Sequence, residues 1–149
     1  MPLHQTEQDG VVQREVLERL RAAAGFLRIE EMPQTCAFDG KCYRDTGLSG
    51  LVEVKGRRIG PRQFKTIFCD EAKWNAIREA CAEYGVPAIL LVQFRDGSLR
   101  WAEITGEPPD VRVRSVQQER HDPYDTGRVA HVPVDWFRAV KEKGRPKAA

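Results

Sequence analysis

No zinc-binding pattern runs through this chain. Its four cysteines, Cys36, Cys42, Cys69 and Cys81, form no C-x-x-C pair, and no histidine stands at finger spacing from them. That argues against a structural zinc site. Long hydrophobic runs are missing too. The longest, "VPAILLV", falls far short of the roughly 20 residues that span a bilayer. The polar opening "MPLHQTEQDG" lacks the apolar stretch of a secretory leader. The expectation is a cytoplasmic protein whose thiols are reduced and pack as small apolar groups. There is no internal repeat and no low-complexity block. A net charge of +2 is too small to indicate a polyanionic partner by itself.

What is present suits one domain. The 149 residues, 41% apolar and 31% charged, are enough to bury a real core. Charge is uneven. Lys55, Arg57, Arg58, Arg62 and Lys65 fall within eleven residues that contain no acid. Such a patch suits backbone phosphates, and it equally suits a solvated face. A second basic group, Lys143, Arg145 and Lys147, marks residues 142–149 as a flexible tail on a domain spanning 1–141.

Periodicity predicts a helix over 9–26, with Val12, Val16, Leu17, Leu20 and Ala24 on one face and Gly25 as its stop. Residues 35–45 and 48–55 read as a β-hairpin around the turn-forming "DTGLSG". A loop with Gly56, Gly60 and Pro61 precedes a helix over 70–85, with Asp70 as N-cap, Trp74, Ile77, Cys81 and Tyr84 as its core face and Gly85 as its stop. "VPAILLVQF" reads as a strand covered on both faces. "RDGS" turns it into the return strand "LRWAEIT". "VRVRSV" alternates like an edge strand, and residues 129–143 are expected to hold a short strand and then a helix from Asp135. This order implies a mixed sheet flanked by helices: α/β with three layers, or α+β if both helices share one face.

The informative stretch is "LSGLVEVKGRR", residues 48–58. Strand residues two apart share a face, so Leu51, Glu53 and Lys55 point one way and Val52 and Val54 the other. An acid and a base at the end of a core strand need a reason. The hairpin carries Asp39 toward the position opposite Glu53. Two converging carboxylates need a cation, and Mg²⁺ binds one or two carboxylates and completes its shell with waters and phosphates. Lys55 is then placed to hold or deprotonate a water aimed at phosphorus, and Arg57 and Arg58 to meet the flanking phosphates. The spacing alone fits better an exposed same-face ion pair on an edge strand, with Asp39 an ordinary turn residue before Gly40.

The stretches "AFDG", "GLVEVKGRR" and 64–105, "FKTIFCDEAKWNAIREACAEYGVPAILLVQFRDGSLRWAEIT", resemble the PD-(D/E)xK nuclease superfamily, in particular small phage- and prophage-encoded members of the Holliday-junction-resolvase-like type. The resemblance covers about residues 11–105 and implies a restriction-endonuclease-like α/β fold. It implies that Asp39 and Glu53 bind Mg²⁺ or Mn²⁺, with the carbonyl of Val54 assisting, and that Lys55 is the motif lysine. It adds an acid from the first helix, with Glu15 preferred to Glu18, and a polar residue from the second, with Lys73 preferred to Trp74. Phe38 stands where the family name has proline, which leaves Asp45 as a rival to Asp39.

The remaining candidates have plainer readings. His121, Asp122 and Asp125 fit turn chemistry in a loop. Cys69, near a helix N-terminus, is a candidate for a lowered pKa but has no histidine partner nearby in sequence. Trp101 and Trp136 are assigned to the core over base stacking. The expected function is metal-dependent hydrolysis of DNA, with Arg57, Arg58, Arg62 and Lys65 binding nucleic acid and a homodimer as one form. The alternative is a nuclease-like module that binds nucleic acid or protein and cuts nothing.

Overall fold

The computed structural model describes residues 7–114, 124 and 126–143, with side chains from Val12 onward. Helix α1, Glu7–Ala24, ends where Gly25 adopts φ 74° and the Phe26 amide returns to the Arg21 carbonyl at 3.1 Å. That is the left-handed stop that glycine permits. Strands β1, Arg28–Glu31, β2, Gly40–Arg44, and β3, Gly47–Gly56, then form an antiparallel meander. Strand β4, Thr66–Asp70, runs directly into helix α2, Glu71–Tyr84. Strand β5, Ala88–Gln93, pairs parallel to β3, and β6, Leu99–Glu103, returns antiparallel beside it. The last elements are β7, Arg112–Val113, β8, Arg128–Pro133, a 3₁₀ turn at Val134–Trp136 and β9, Arg138–Ala139.

Two sheets result. The larger has the order β1-β2-β3-β5-β6-β9, and the smaller β4-β8-β7. The mixed six-stranded sheet flanked by helices is the expected α/β architecture. Its faces divide the core in two. Val52 and Leu91 pack with Val16, Leu17 and Leu20 of α1. Leu51, Leu90 and Val92 pack with Trp74 and Ile77 of α2 and with Ile67, Cys69 and Val132 of the small sheet. Alternation along β3 therefore sends Val52 and Val54 to α1, and Leu51 and Glu53 to α2. β5 is covered on both faces, as a parallel strand usually is.

Four sequence expectations need correction or addition. Asp135 does not begin a helix. The chain makes one 3₁₀ turn, buries Phe137, and pairs Arg138 and Ala139 with the edge of β6. Edge pairing and an alternating Phe137 satisfy this backbone where a helix would leave the β6 edge open. Between the expected loop and helix, residues 66–70 form a strand absent from the sequence expectation, with Ile67 and Cys69 turned into the core. Asp70 takes the N-cap position of α2 but makes no capping bond with its side chain. Instead its carboxylate lies 3.8 Å from Arg114. The tail expected from residue 142 begins with an anchored residue, because Arg19 grips Glu142 through two hydrogen bonds of 2.7 Å. Residues 144–149 lie outside the described residues.

Gly40 is the close-approach point of the meander. A Cβ there would stand 2.8 Å from Cγ2 of Ile29 and 3.0 Å from Cγ1 of Val52. Both neighbours are β-branched and have little freedom to retreat. Gly40→Ala is therefore expected to lower stability by about 1–3 kcal/mol. Urea unfolding followed by circular dichroism measures it. An unchanged midpoint would mean that β1 and β3 yield without cost.

Candidate active site

The register of the meander places the first carboxylate. Gly40 stands opposite Val52, so Asp39, one residue earlier, faces Glu53 across the strand pair. The Asp39 backbone is fixed on both sides. Its N–H donates to the Val52 carbonyl at 2.8 Å, and its carbonyl accepts from the Met32 N–H at 2.9 Å. Its side chain is also held, because the Val54 N–H donates to Asp39 Oδ2 at 2.7 Å. Asp45, the rival, sits exposed beyond the end of β2.

Glu53 is 3% exposed, at the centre of the sheet. Lys73 of α2 donates from Nζ to its Oε2 at 2.9 Å, while Oε1 is buried with no hydrogen-bond partner. Burial first, and the neighbouring Asp39 charge second, push the Glu53 pKa up to about 8, although Lys73 and Lys55 pull it down. The two lysines thus only partly offset the desolvation and repulsion. Lys55 is half-buried on the same face of β3, two residues toward its carboxyl end.

The structure thus brings Asp39, Glu53, Lys55 and Lys73 together, and it does not bring Glu15 to them. Helix α1 packs on the opposite face of the sheet, where Val52 rather than Glu53 meets it. Glu15 is exposed there, in a groove with Arg14, Arg28 and Glu31. Of the basic loop, Arg58, Arg62 and Lys65 are exposed. Arg57 turns inward and donates to the carbonyls of Gly56 and Phe68 at 3.0 and 2.9 Å. Burial raises the Cys69 pKa, which removes it as a thiolate nucleophile. His121, Asp122 and Asp125 lie outside the described residues.

Sequence reasoning missed the outer ring of the site. Asp70 is buried beside Arg114, and the Lys73 ammonium lies 5.7 Å from the centre of the Tyr124 ring. Arg114 and Tyr124 arrive through the small sheet, from more than 40 residues away in sequence, so no local pattern announced them.

The donor set fits a hard divalent cation. Two carboxylates converge, one buried oxygen is unsatisfied, and burial together with the Asp39 charge raises the acid's pKa. Among the described residues no group of three or more His, Cys, Asp or Glu side chains is arranged to hold a metal. The fit is thus to an ion that takes few protein ligands and fills its shell with water and phosphate oxygens, as Mg²⁺ does.

A family model described as "Phage putative PDDEXK endonuclease" matches residues 2–140. The chain belongs to this family. No match to it is found among curated proteins. By its description this is a family of phage-encoded PDDEXK endonucleases. Among the described residues no helix is long and apolar enough to cross a membrane.

Glu53 gives a pH-dependent prediction for the metal-free protein in chelator. The unfolded carboxyl titrates near 4.5 and the folded one near 8. Between these values the native state binds the extra proton, so stability falls as pH rises, by up to about 1.4 kcal/mol per pH unit. Glu53→Gln is expected to remove that slope and to leave the variant more stable than the parent at pH 8. Denaturation midpoints from pH 5 to 9 measure it, and parallel profiles for the two proteins would contradict the assignment.

Proposed function

We propose that this PDDEXK protein is a Mg²⁺- or Mn²⁺-dependent endonuclease that hydrolyses phosphodiester bonds of DNA in the cytoplasm of a bacterial host. The observation that carries the reading is the meeting of Asp39 and Glu53 across β2 and β3, with one Glu53 oxygen buried and unpaired and two ammonium groups nearby.

In this reading Asp39 and Glu53 would hold the ion, with the Val54 carbonyl as a further protein oxygen. A bound divalent cation supplies Lewis-acid stabilisation of the charge that builds on the phosphate. Asp39 cannot swing away, because the Val54 amide fixes one of its oxygens. Lys73 holds Glu53 through one oxygen, and the other, buried without a hydrogen-bond partner, would be left to the ion. Lys55 orients the attacking water and neutralises developing negative charge. Arg58, Arg62 and Lys65 meet the flanking phosphates, and Arg57 braces the loop that carries them. Cutting both strands takes two copies of the site, so a homodimer is the form that sedimentation should seek on DNA.

One observation favours a second reading. The Lys73–Glu53 pair already neutralises much of the buried charge, as it would in a nuclease-like module that binds and does not cut. Tight, salt-sensitive binding in EDTA without any metal-dependent cleavage would identify that module.

Plasmid nicking separates the two. The parent protein is expected to nick supercoiled DNA with Mg²⁺ and not with EDTA. Lys55→Ala is expected to lose about 100-fold or more in rate, and Glu53→Gln to lose cleavage while gaining stability at pH 8. Equal nicking by the parent and Lys55→Ala would sink the role given to Lys55.

A further inference from the structure

Several large aromatic side chains stand outside the core around the small sheet. Phe64 is 55% exposed, and Phe68 and Trp136 are each 46% exposed. Trp136 was expected in the core and is not there. Phe68 faces outward because Ile67 and Cys69, on either side of it, take the inward positions of β4. Its ring meets His131 of β8 edge-on, with centroids 4.5 Å apart. Thr66 pairs with Pro133, and the Lys65 carbonyl accepts from the Val134 amide at 2.8 Å. Phe64 and Trp136 therefore flank the same end of this sheet.

Singly exposed apolar residues are ordinary. Here Phe64 lies within the acid-free basic stretch 55–65 and Phe68 three residues beyond it, with Arg58 and Lys65 exposed on that stretch. A short structural path joins them to the carboxylates. Arg57 follows Lys55 by two residues and donates to the carbonyl of Phe68 itself. A duplex keeps its base faces stacked on one another and presents phosphates, for which exposed rings have no use. Unpaired bases offer free π-faces, and ring stacking beside a cationic groove is how single strands are held without regard to sequence.

We propose that the Phe68–His131 face is a stacking platform for unpaired nucleotides, so that the substrate brought to Glu53 and Asp39 contains a single-stranded segment. This rests on the nuclease reading for the chemistry but not for the binding. The charge of the neighbouring stretch selects a polyanionic strand over an apolar protein partner, and the exposed rings select unpaired over paired bases.

Fluorescence anisotropy in EDTA, with a labelled oligothymidylate and a blunt duplex of equal length, tests it. The full chain is expected to bind the single strand more tightly. Phe68→Leu keeps an apolar side chain but removes the ring, and is expected to weaken single-strand binding at least about fivefold while changing duplex binding less than about twofold. Phe68→Tyr should restore it. Arg58→Ala should weaken both ligands and reduce the salt dependence. Melting temperatures equal to the parent's establish that the variants fold. Equal loss on both ligands, no loss on either, or tighter binding of the duplex by the parent would overturn the platform. Failure of the nuclease reading would show separately, as absence of Mg²⁺-dependent nicking by the parent, with the binding difference intact.

Discussion

The structure turns on one buried carboxylate. Glu53 occupies a position in the middle of the large sheet, between the apolar runs of β3 and β5, where a valine or leucine would ordinarily sit. Taking an ion out of water there costs several kcal/mol, and attraction to a neighbour repays it only when the geometry is good. Lys73 provides one such neighbour at 2.9 Å. Asp39 works in the opposite direction and raises the proton affinity of the acid. A fold selected for stability alone would not set a second carboxylate against the first. The arrangement is stable in proportion to the positive charge brought to it, which makes the site receptive to a cation.

That geometry depends on register. Because side chains alternate with a period of two, a slip of one residue along β3 would deliver Glu53 to α1 and Val52 or Val54 to α2. Several features prevent the slip. Val52 and Leu51 are both fully buried, on opposite faces, so neither face tolerates a charge in exchange. Gly40 packs so tightly against Ile29 and Val52 that only this alignment avoids a clash. The bulge between Cys42 and Tyr43 takes up the irregularity near the turn, away from the carboxylates.

Much of this was legible in the sequence because it is local. The hairpin carrying Asp39 and Glu53, the second helix with Trp74 and Ile77 inward, and the uniformly apolar β5 follow from periodicity and turn chemistry within short windows. What was not legible depends on distant pairing. β1, "RIEE", has no buried residue to give it a pattern and exists because β2 offers an edge. β4 did alternate, but over only five residues, and its partner β8 lies some 60 residues later. Glu15 lies away from the carboxylates for a topological reason: a helix's apolar face says that it packs, not on which side of the sheet. Trp136 lies outside the core because β9 takes the edge of β6 and leaves Phe137, not its neighbour, facing inward.

The small sheet has a structural role that its size conceals. β4 ends at Asp70 and α2 begins at Glu71, with no residue between them to absorb a change in direction. The position of β4 therefore sets the first turn of α2, and that turn carries Lys73. β8 holds β4 along its length, from Thr66–Pro133 to Asp70–Val129. It then reaches the helix directly, because Arg128 donates to Glu71 at 2.6 and 3.2 Å. Arg114, the residue after β7, lies beside Asp70 at the same junction. The three strands outside the large sheet thus fix the ammonium that meets Glu53. The large sheet brings the two acids together, and the small sheet determines where the helix starts and so where the nearest cation stands.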